Sequence, residues 1–152
     1  MDYPNCILTE SQVAEIEVTF SQKVKIKDRI KVNNKHLAAN LFKITWDGGK
    51  FELQETFKIM LLNGNSELLG IATIAEGGIT SCHVDLRLLF AIALKSAAVA
   101  IILAHNHPSG NLNASQEDVS LTERITKIGK ILQIEVLEHL ILTKEGFASI
   151  EV

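Results

Sequence analysis

The sequence predicts an α/β fold in which helices cover both faces of a mixed β-sheet. Three observations support this prediction: strand-like and helix-like segments alternate along the chain, residues 98–105 form an almost continuous apolar run, and residues 115–132 have the spacing of a long amphipathic helix. A continuous apolar run of this length is typical of a central strand covered on both faces. Strands and helices mixed in this way favour a three-layer arrangement.

Length and composition indicate one globular domain. The chain has 152 residues, of which 47% are hydrophobic and 22% are charged, and this balance fits a single domain with its own core. We assign residues 1–12 to an N-terminal lead-in and residues 13–152 to the domain. The formal net charge of −3 excludes general nucleic-acid binding by bulk electrostatics, although a local basic patch could still bind.

The cysteines and the N-terminus favour a cytoplasmic location. Cys6 and Cys82 lie far apart and neither belongs to a C-x-x-C pair, so no disulfide framework is indicated, and free thiols suit a reducing compartment. The first residues lack the basic and apolar regions of a secretion signal. The longest apolar stretch, 97–104, is too short to span a bilayer, so we expect no membrane partner.

Two segments at the start of the domain predict an N-terminal β-hairpin. Apolar and polar residues alternate over 13–20 and again over 24–32, which is the pattern of half-buried strands. We expect a loop of odd length, such as 21–23, because it pairs Glu17 with Lys27, whereas a two-residue loop puts glutamates on the apolar face. Basic residues recur along the second segment: Lys23, Lys25, Lys27, Arg29 and Lys31. They form either a contact for nucleic acid or an acidic partner, or, as we favour, a solvated face that protects a sheet edge.

The remaining elements follow in chain order. Residues 34–46 have helical spacing in Leu37, Leu41, Ile44 and Trp46, and Asp47-Gly48-Gly49 ends that segment. The later predicted elements are strands 56–62 and 68–74, helix 84–97, strand 98–105, helix 115–132, and strands 134–142 and 147–150.

One stretch carries the residues of a metal site. His105 and His107 stand at the end of the apolar strand, where residues two apart project in the same direction. Pro108 and Gly110 turn the chain, and Asp118 falls in the first turn of the next helix, from which its carboxylate could return to the histidines. Two imidazoles and a carboxylate, with a fourth position left for water, form the ligand set of a catalytic zinc site.

Each part of this pattern also has an ordinary structural interpretation. Ser115-x-x-Asp118 is a helix-capping signal, and Pro108-Ser109-Gly110 is an ordinary turn. Together the parts favour a metal site, because the end of a buried strand is where α/β folds tend to bind ligands. The contiguous His105-Asn106-His107 is not the motif of the HNH nucleases, whose residues are dispersed.

The complete pattern resembles a known family motif. His-x-His-Pro, six residues, Ser, two residues and Asp is similar to the JAB/JAMM (MPN+) motif of zinc metalloproteases, with His105, His107, Pro108, Ser115 and Asp118 in place. The string from His105 to Gly110 resembles the RadC branch, as do Glu138-His139-Leu140-Ile141 and residues 146–150. The resemblance covers residues 50–150, and the first part resembles short bacterial RadC forms that lack the helix-hairpin-helix region.

The resemblance implies a fold, a cofactor and an activity. The fold is the three-layer JAB/JAMM domain, which is cytidine-deaminase-like. The activity is hydrolysis of a peptide or isopeptide bond in a peptide or protein substrate, with Zn²⁺ held by His105, His107 and Asp118. Ser115 would help to hold the oxyanion of the reaction.

The resemblance also implies a general base, a glutamate upstream of the histidines. Four residues are candidates: Glu52, Glu55, Glu67 and Glu76. We choose Glu55, because Glu-x-Phe at the start of a strand resembles the RadC pattern and an adjacent apolar strand would raise its pKa. Glu52 is the reserve.

A few residues depart from the family pattern or lie outside it. Glu138 replaces a family aspartate, which would alter any hydrogen bond made from that position, and we expect His139 to be a packed or supporting residue. His36 and His83 are expected to be ordinary surface or helix residues.

The rivals to a hydrolase are a nucleic-acid-binding module, given the association of RadC with DNA repair, and a pseudoenzyme with a structural metal site. Exposed strand edges would allow a homodimer.

Overall fold

The structure, a computed structural model that describes residues 18–151, has three layers. Its helices are α1 (Lys35–Ile44), α2 (Leu86–Lys95) and α3 (Gln116–Leu132). Its strands are β1 (Thr56–Leu62), β2 (Leu68–Glu76), β3 (Ala100–Asn106), β4 (Glu135–Leu142) and β5 (Phe147–Ile150). Helix α1 covers one face of the sheet, and α2 and α3 cover the other. The predicted α/β class with a mixed sheet is confirmed, and the predicted lead-in, 1–12, lies outside the described residues.

The strands form one sheet in the order β2-β1-β3-β4-β5. Strands β3 and β4 are parallel, and every other neighbouring pair is antiparallel. A parallel pair needs a crossover connection, which α3 supplies between β3 and β4. Every residue of β1 and β3 is buried, as expected for strands covered on both faces. The end of β3 therefore lies beside the start of β1, where His105 is paired with Phe57.

Alternate residues of the central strands enter two separate cores, because successive side chains of a strand point to opposite faces. Odd-numbered residues of β3, such as Leu103, pack with α2 and α3 on what we call the α3 face. Even-numbered residues, such as Ala104, pack with α1 on the α1 face. His105 and Asn106 consequently leave the same strand end towards opposite layers.

The predicted N-terminal hairpin is wrong within the described residues. Residues 18–30 contain no strand; Ile26–Asp28 form a short 3-10 turn, and Lys31 makes an isolated antiparallel bridge with Glu67. The residues of the first predicted strand before Val18 lie outside the described part of the chain. Alternation failed as a signal here because the apolar parity is not buried against a partner: Ile26 is 75% exposed.

The helix predicted over 34–46 is confirmed, but its buried face differs from the predicted one. The residues of α1 that are buried are Ala38, Ala39 and Phe42, whereas Ile44 is 80% exposed. Ala38 and Phe42 are four residues apart, so they too fit one helical face, and the small alanine side chains allow α1 to lie close to the sheet. Trp46, which was predicted to belong to the helix, lies just beyond it and is buried.

The later helices and strands are confirmed, with ends that differ from the prediction by no more than two residues. Within residues 18–151, none of the helices combines the length and the apolar character needed to cross a bilayer.

Candidate metal centre

The two motif histidines lie where β3 emerges from the sheet. His105 is only 4% exposed, and its ring stacks on Phe57 of β1 with the ring planes 8° apart. The backbone N–H of His107 donates to the carbonyl of Leu142, which holds this residue beside the end of β4. Gly110 then turns the chain with a φ of +80°, a conformation that glycine adopts without strain, and its N–H donates to the carbonyl of His107.

Asp118 reaches the histidines from the first turn of α3. Its Oδ2 accepts hydrogen bonds from the Ser115 backbone N–H at 2.7 Å and from Ser115 Oγ at 2.6 Å, and its own N–H donates to Ser115 Oγ at 3.1 Å. This capping box fixes the carboxylate in the direction of β3. One ligand atom each of His105, His107 and Asp118 lies within 4.8 Å of the others. The capping and site interpretations of Ser115-x-x-Asp118 therefore both apply.

A chain of buried hydrogen bonds determines which nitrogen of His105 carries its proton. Thr122 Oγ1 lies 2.6 Å from the backbone oxygen of Asp118 and 2.6 Å from His139 Nδ1. Since a carbonyl oxygen only accepts, the hydroxyl donates to it and accepts from His139 Nδ1–H. Burial lowers the pKa of His139 far below its ordinary value, so its Nε2 keeps a lone pair. His105 Nδ1, 2.8 Å away, must then donate, which leaves a lone pair on His105 Nε2.

His107 presents its Nε2 in the same way. Its Nδ1 lies 2.6 Å from the backbone oxygen of Asn111, so Nδ1 carries the hydrogen. The two Nε2 atoms are 2.9 Å apart, and the Asp118 oxygens lie 3.2 Å from His105 Nε2 and 3.7 Å from His107 Nε2. Three acceptors this close repel one another unless a cation lies between them. Two imidazole nitrogens and a carboxylate oxygen fit a divalent metal ion.

The charges in the site favour a cation. Burial alone would raise the pKa of Asp118. In the metal-free site, protons on His105 and His107 Nε2 can take the place of a cation and donate to the carboxylate, as Ser115 does, and these hydrogen bonds hold its pKa well below the ordinary value, so the carboxylate is ionised at neutral pH. The hydrogen bond that protonated His107 donates to Asp118 raises the pKa of His107. A proton on His107 therefore competes with a metal ion for the position between the ligands.

Of the four candidate glutamates, the structure places Glu55 beside these ligands. Its side chain lines one cleft of about 700 Å³ together with His105, His107, Ser115 and Asp118. Burial raises the pKa of Glu55, although the positive charges of the two histidines oppose this change. The sequence resemblance and the location of Glu55 thus agree.

The other three glutamates are engaged elsewhere. Each makes an ion pair: Glu52 with Lys144 at 3.0 Å, Glu67 with Arg29 at 3.2 Å, and Glu76 with Lys50 at 3.4 Å. The Glu52 side chain is 60% exposed. The reserve candidate therefore lies at the surface, outside the residues that line this cleft.

Sequence reasoning missed three residues around the ligands. Thr122 and Asn111 fix the histidine rings as described above. Asn106, which lies between the two histidines in the sequence, is fully buried. A signal existed for Thr122, which lies four residues after Asp118 and so on the same face of α3. The unusual Glu138 lies away from the site, where its carboxylate accepts a hydrogen bond from Ser149 of β5.

The two histidines outside the motif are also placed. The ring of His36 packs edge-on against Phe147, with centroids 5.1 Å apart. His83 lines a neighbouring cleft between the start of α2 and α3. The group that could hold a metal consists of His105, His107 and Asp118 within the described residues.

The fold and the site together define an α/β domain of the JAB type, with a His/His/Asp group at the open end of a central strand and a glutamate in the same cleft. The RadC-like JAB domain matches residues 32–152, and the chain belongs to this family.

Curated relatives support this family membership, and their shared name, UPF0758 protein, states no activity. A UPF0758 protein of Flavobacterium johnsoniae is 41% identical over 95 residues, which cover 62% of this chain and 42% of the relative. A UPF0758 protein of Methanospirillum hungatei is 40% identical over 124 residues, covering 82% of this chain and 54% of the relative. The chain spans about half the length of the curated relatives it matches.

Proposed function

We propose that this chain is a zinc-dependent hydrolase of amide bonds, acting on a peptide or isopeptide bond of a peptide or protein substrate. The observation that carries the proposal is the convergence of three ligand atoms within 4.8 Å, in a cleft that Glu55 also lines. Zinc is the proposed metal because imidazole and carboxylate ligands with an open position suit it. When bound, such an ion acts as a Lewis acid and brings the pKa of a water molecule to about 7.

Glu55 is the proposed general base. Its raised pKa, which results mainly from burial, brings the carboxylate nearer to the working pH of a proton shuttle. In the proposed reaction Glu55 takes a proton from the attacking water and then gives that proton to the nitrogen of the leaving amine. The carboxylate is thereby restored at the end of each turnover.

Ser115 is the proposed oxyanion donor. Its hydroxyl lines the cleft and has one proton, which it donates to Asp118 Oδ2 at 2.6 Å. To stabilise a substrate oxyanion, that proton has to turn from Asp118 towards the substrate. A cation bound by Asp118 would weaken the carboxylate as an acceptor and so favour the change.

Metal content and a matched pair of glutamate variants test the proposal. We expect the purified wild type to bind one zinc ion per chain and to hydrolyse members of a mixed peptide library, as followed by mass spectrometry. Glu55→Gln should lower the rate at least about 100-fold and still bind zinc, because general acid–base catalysis contributes factors of this size. Glu52→Gln, which removes an exposed and ion-paired carboxylate, is the control and should retain the rate.

The outcomes separate the candidate functions. Failure of the wild type to bind zinc at stoichiometric loading would sink the proposal. Zinc binding without hydrolysis of the library would favour the pseudoenzyme. The nucleic-acid-binding alternative stays a prediction. The structure gives it less support than the sequence did, because the basic residues over 23–31 do not form the predicted strand face and Arg29 pairs with Glu67. A gel shift that weakens steeply with salt would support that alternative.

A further inference from the structure

Asn106 lies between the two motif histidines in sequence but has a different environment. His105 and His107 enter the metal centre, whereas Asn106 leaves β3 on the α1 face and is 0% exposed. A fully buried carboxamide requires partners for its oxygen and for its two N–H groups. The proposed hydrolytic chemistry assigns no role to this side chain.

All of the hydrogen bonds that Asn106 makes through its side chain go to the backbone at the start of β1 and just before it. Its Oδ1 accepts from the Thr56 N–H at 2.7 Å, and its Nδ2 donates to the carbonyl oxygens of Gln54 at 2.9 Å and Phe51 at 2.7 Å. The Gln54 carbonyl belongs to the peptide group before Glu55, and the Thr56 N–H belongs to the peptide group after it. One side chain therefore binds both peptide groups that flank the Cα atom of Glu55.

These three partners can be satisfied by one carboxamide and by few other groups. The two carbonyl oxygens only accept, and the backbone N–H only donates, so the position requires one acceptor and two donors. An ionised aspartate has no hydrogen to donate, and an apolar side chain offers neither function. The orientation of the Asn106 amide is thus fixed by its partners.

The backbone N–H and carbonyl of Glu55 itself bond to the two glycines that follow β2. The Glu55 N–H donates to the Gly78 carbonyl at 2.8 Å, and the Gly77 N–H donates to the Glu55 carbonyl at 2.8 Å. With Asn106, every polar backbone group adjacent to the Glu55 Cα atom has a partner. Asn106 differs from the glycines because it belongs to the strand that carries His105.

We propose that Asn106 is a positioning residue that fixes Glu55 relative to the metal ligands. It couples the backbone on both sides of Glu55 to the ligand strand, in addition to the β1–β3 pairing of Phe57 with His105, and so fixes where the Glu55 side chain starts relative to the two histidines. The inference rests on the proposed function for the role of Glu55, and it adds a residue that does not touch the reacting atoms.

The test compares Asn106→Ala with Ile102→Ala, a control on the same face of β3 that is paired with Met60, away from the Glu55 segment. In zinc-loaded full-length protein, Asn106→Ala should lower kcat on the peptide library about 10- to 100-fold, because small misplacements cost factors of this size. KM and zinc affinity should each stay within about threefold, because the mutation leaves the ligands unchanged. Asn106→Ser keeps a polar side chain, and we use it if the alanine variant fails to fold.

Two measurements distinguish positioning from a merely structural role. In a Glu55→Gln background, Asn106→Ala should cost no more than about threefold further, because both changes act through one group. Hydrogen–deuterium exchange should rise about tenfold or more over residues 51–56 in Asn106→Ala and stay unchanged in β4, whereas Ile102→Ala should raise it across the sheet.

Multiplicative losses in the double variant, a loss of zinc affinity equal to the loss of kcat, or faster exchange throughout the sheet would each overturn the inference. If the zinc-loaded wild type hydrolyses no peptide, the proposed function fails by itself. The exchange pattern then decides whether Asn106 fixes the Glu55 segment: a local increase supports this, and a sheet-wide increase refutes it.

Discussion

The two faces of the sheet bury polar side chains at the same end but use them differently. On the α3 face, His105, His139 and Thr122 bond to one another, side chain to side chain. On the α1 face, Asn106 and Lys58 bond to backbone atoms: Asn106 to the start of β1 and the segment before it, and Lys58 Nζ to the carbonyl of Thr45 at 2.6 Å.

This difference separates two tasks. Side chains that bond to one another determine where protons lie, and so determine which atoms face a metal ion. Side chains that bond to carbonyls and N–H groups determine the path of the backbone. Changes on the α3 face should therefore alter metal affinity, and changes on the α1 face should alter stability or the position of Glu55 while leaving metal affinity intact.

The largest expected effect is at the ligand carboxylate. Asp118→Asn should weaken zinc binding at least about 100-fold, because it removes a charged ligand whereas loss of a supporting partner already costs 10- to 100-fold. Competition with a chromogenic chelator measures the affinity. Glu117→Gln is the control, since it removes the adjacent negative charge and should change the affinity no more than about threefold by weak, solvent-screened electrostatics. Equal losses in both variants would contradict the assignment of Asp118.

The next effect tests the hydrogen-bond chain behind His105. Thr122→Val has nearly the same shape but lacks the hydroxyl that accepts from His139, so zinc affinity should fall about 10-fold or more. Thr122→Ser retains the hydroxyl and should stay within about threefold of the wild type by the same reasoning. If valine and serine behave alike, the hydroxyl does not set the protonation of His105.

A pH effect should follow from His139 in protein stripped of metal. Its pKa is lowered by burial, so the unfolded chain binds more protons than the folded chain as pH falls below about 6.5, and stability from this residue decreases with falling pH. His107, whose pKa is raised, changes the stability in the opposite direction. The contribution of His139 is therefore measured as the difference between the wild type and a variant that lacks His139.

Urea unfolding of the wild type and of His139→Gln isolates this contribution. Between pH 7.5 and pH 5.5, the free energy of unfolding of the wild type should fall by about 1 kcal/mol relative to that of the variant. A relative change of the opposite sign would mean that His139 is charged in the folded protein.

The smallest effect is expected on the α1 side. Asn34 caps α1 by accepting a hydrogen bond from the Leu37 N–H at 2.8 Å, and Asn34→Ala should lower the free energy of unfolding by about 1 kcal/mol. Asn34→Asp keeps an acceptor and should be close to neutral. Zinc affinity should be the same in both variants; a change in it would break the division of labour between the two faces.

The sequence predicted those parts of the molecule in which local pattern and tertiary packing agree. The apolar run of β3 is buried on both sides, and the His105 and His107 spacing on a strand brings both rings to one side. The hairpin failed because alternation over 24–32 is not matched by burial. The buried face of α1 was mistaken because it consists of Ala38, Ala39 and Phe42, whereas Ile44 is exposed.

The supporting residues could not be predicted for a physical reason. The roles of Thr122 and Asn106 depend on partners that are far away in sequence, and on which of those partners can only accept or only donate. Glu55 was selected by resemblance among four glutamates, and its position in the cleft agrees with that choice. The spacing of Thr122 after Asp118 places it on the same face of α3, but no spacing within one segment shows which distant group it bonds to.

The parallel pairing of β3 and β4 has a consequence for how the centre assembles. His105 and His139 are 34 residues apart, and the ligands and their supporting network lie within this single β3-α3-β4 unit. Thr56, next to the base, is 50 residues before its partner Asn106 and belongs to a different hairpin. Because closing short loops costs less chain entropy and local contacts form sooner, the ion-binding half of the centre can assemble before the reactive half arrives. We therefore expect capture of an ion to depend less than reactivity on the docking of the distant Glu55 segment.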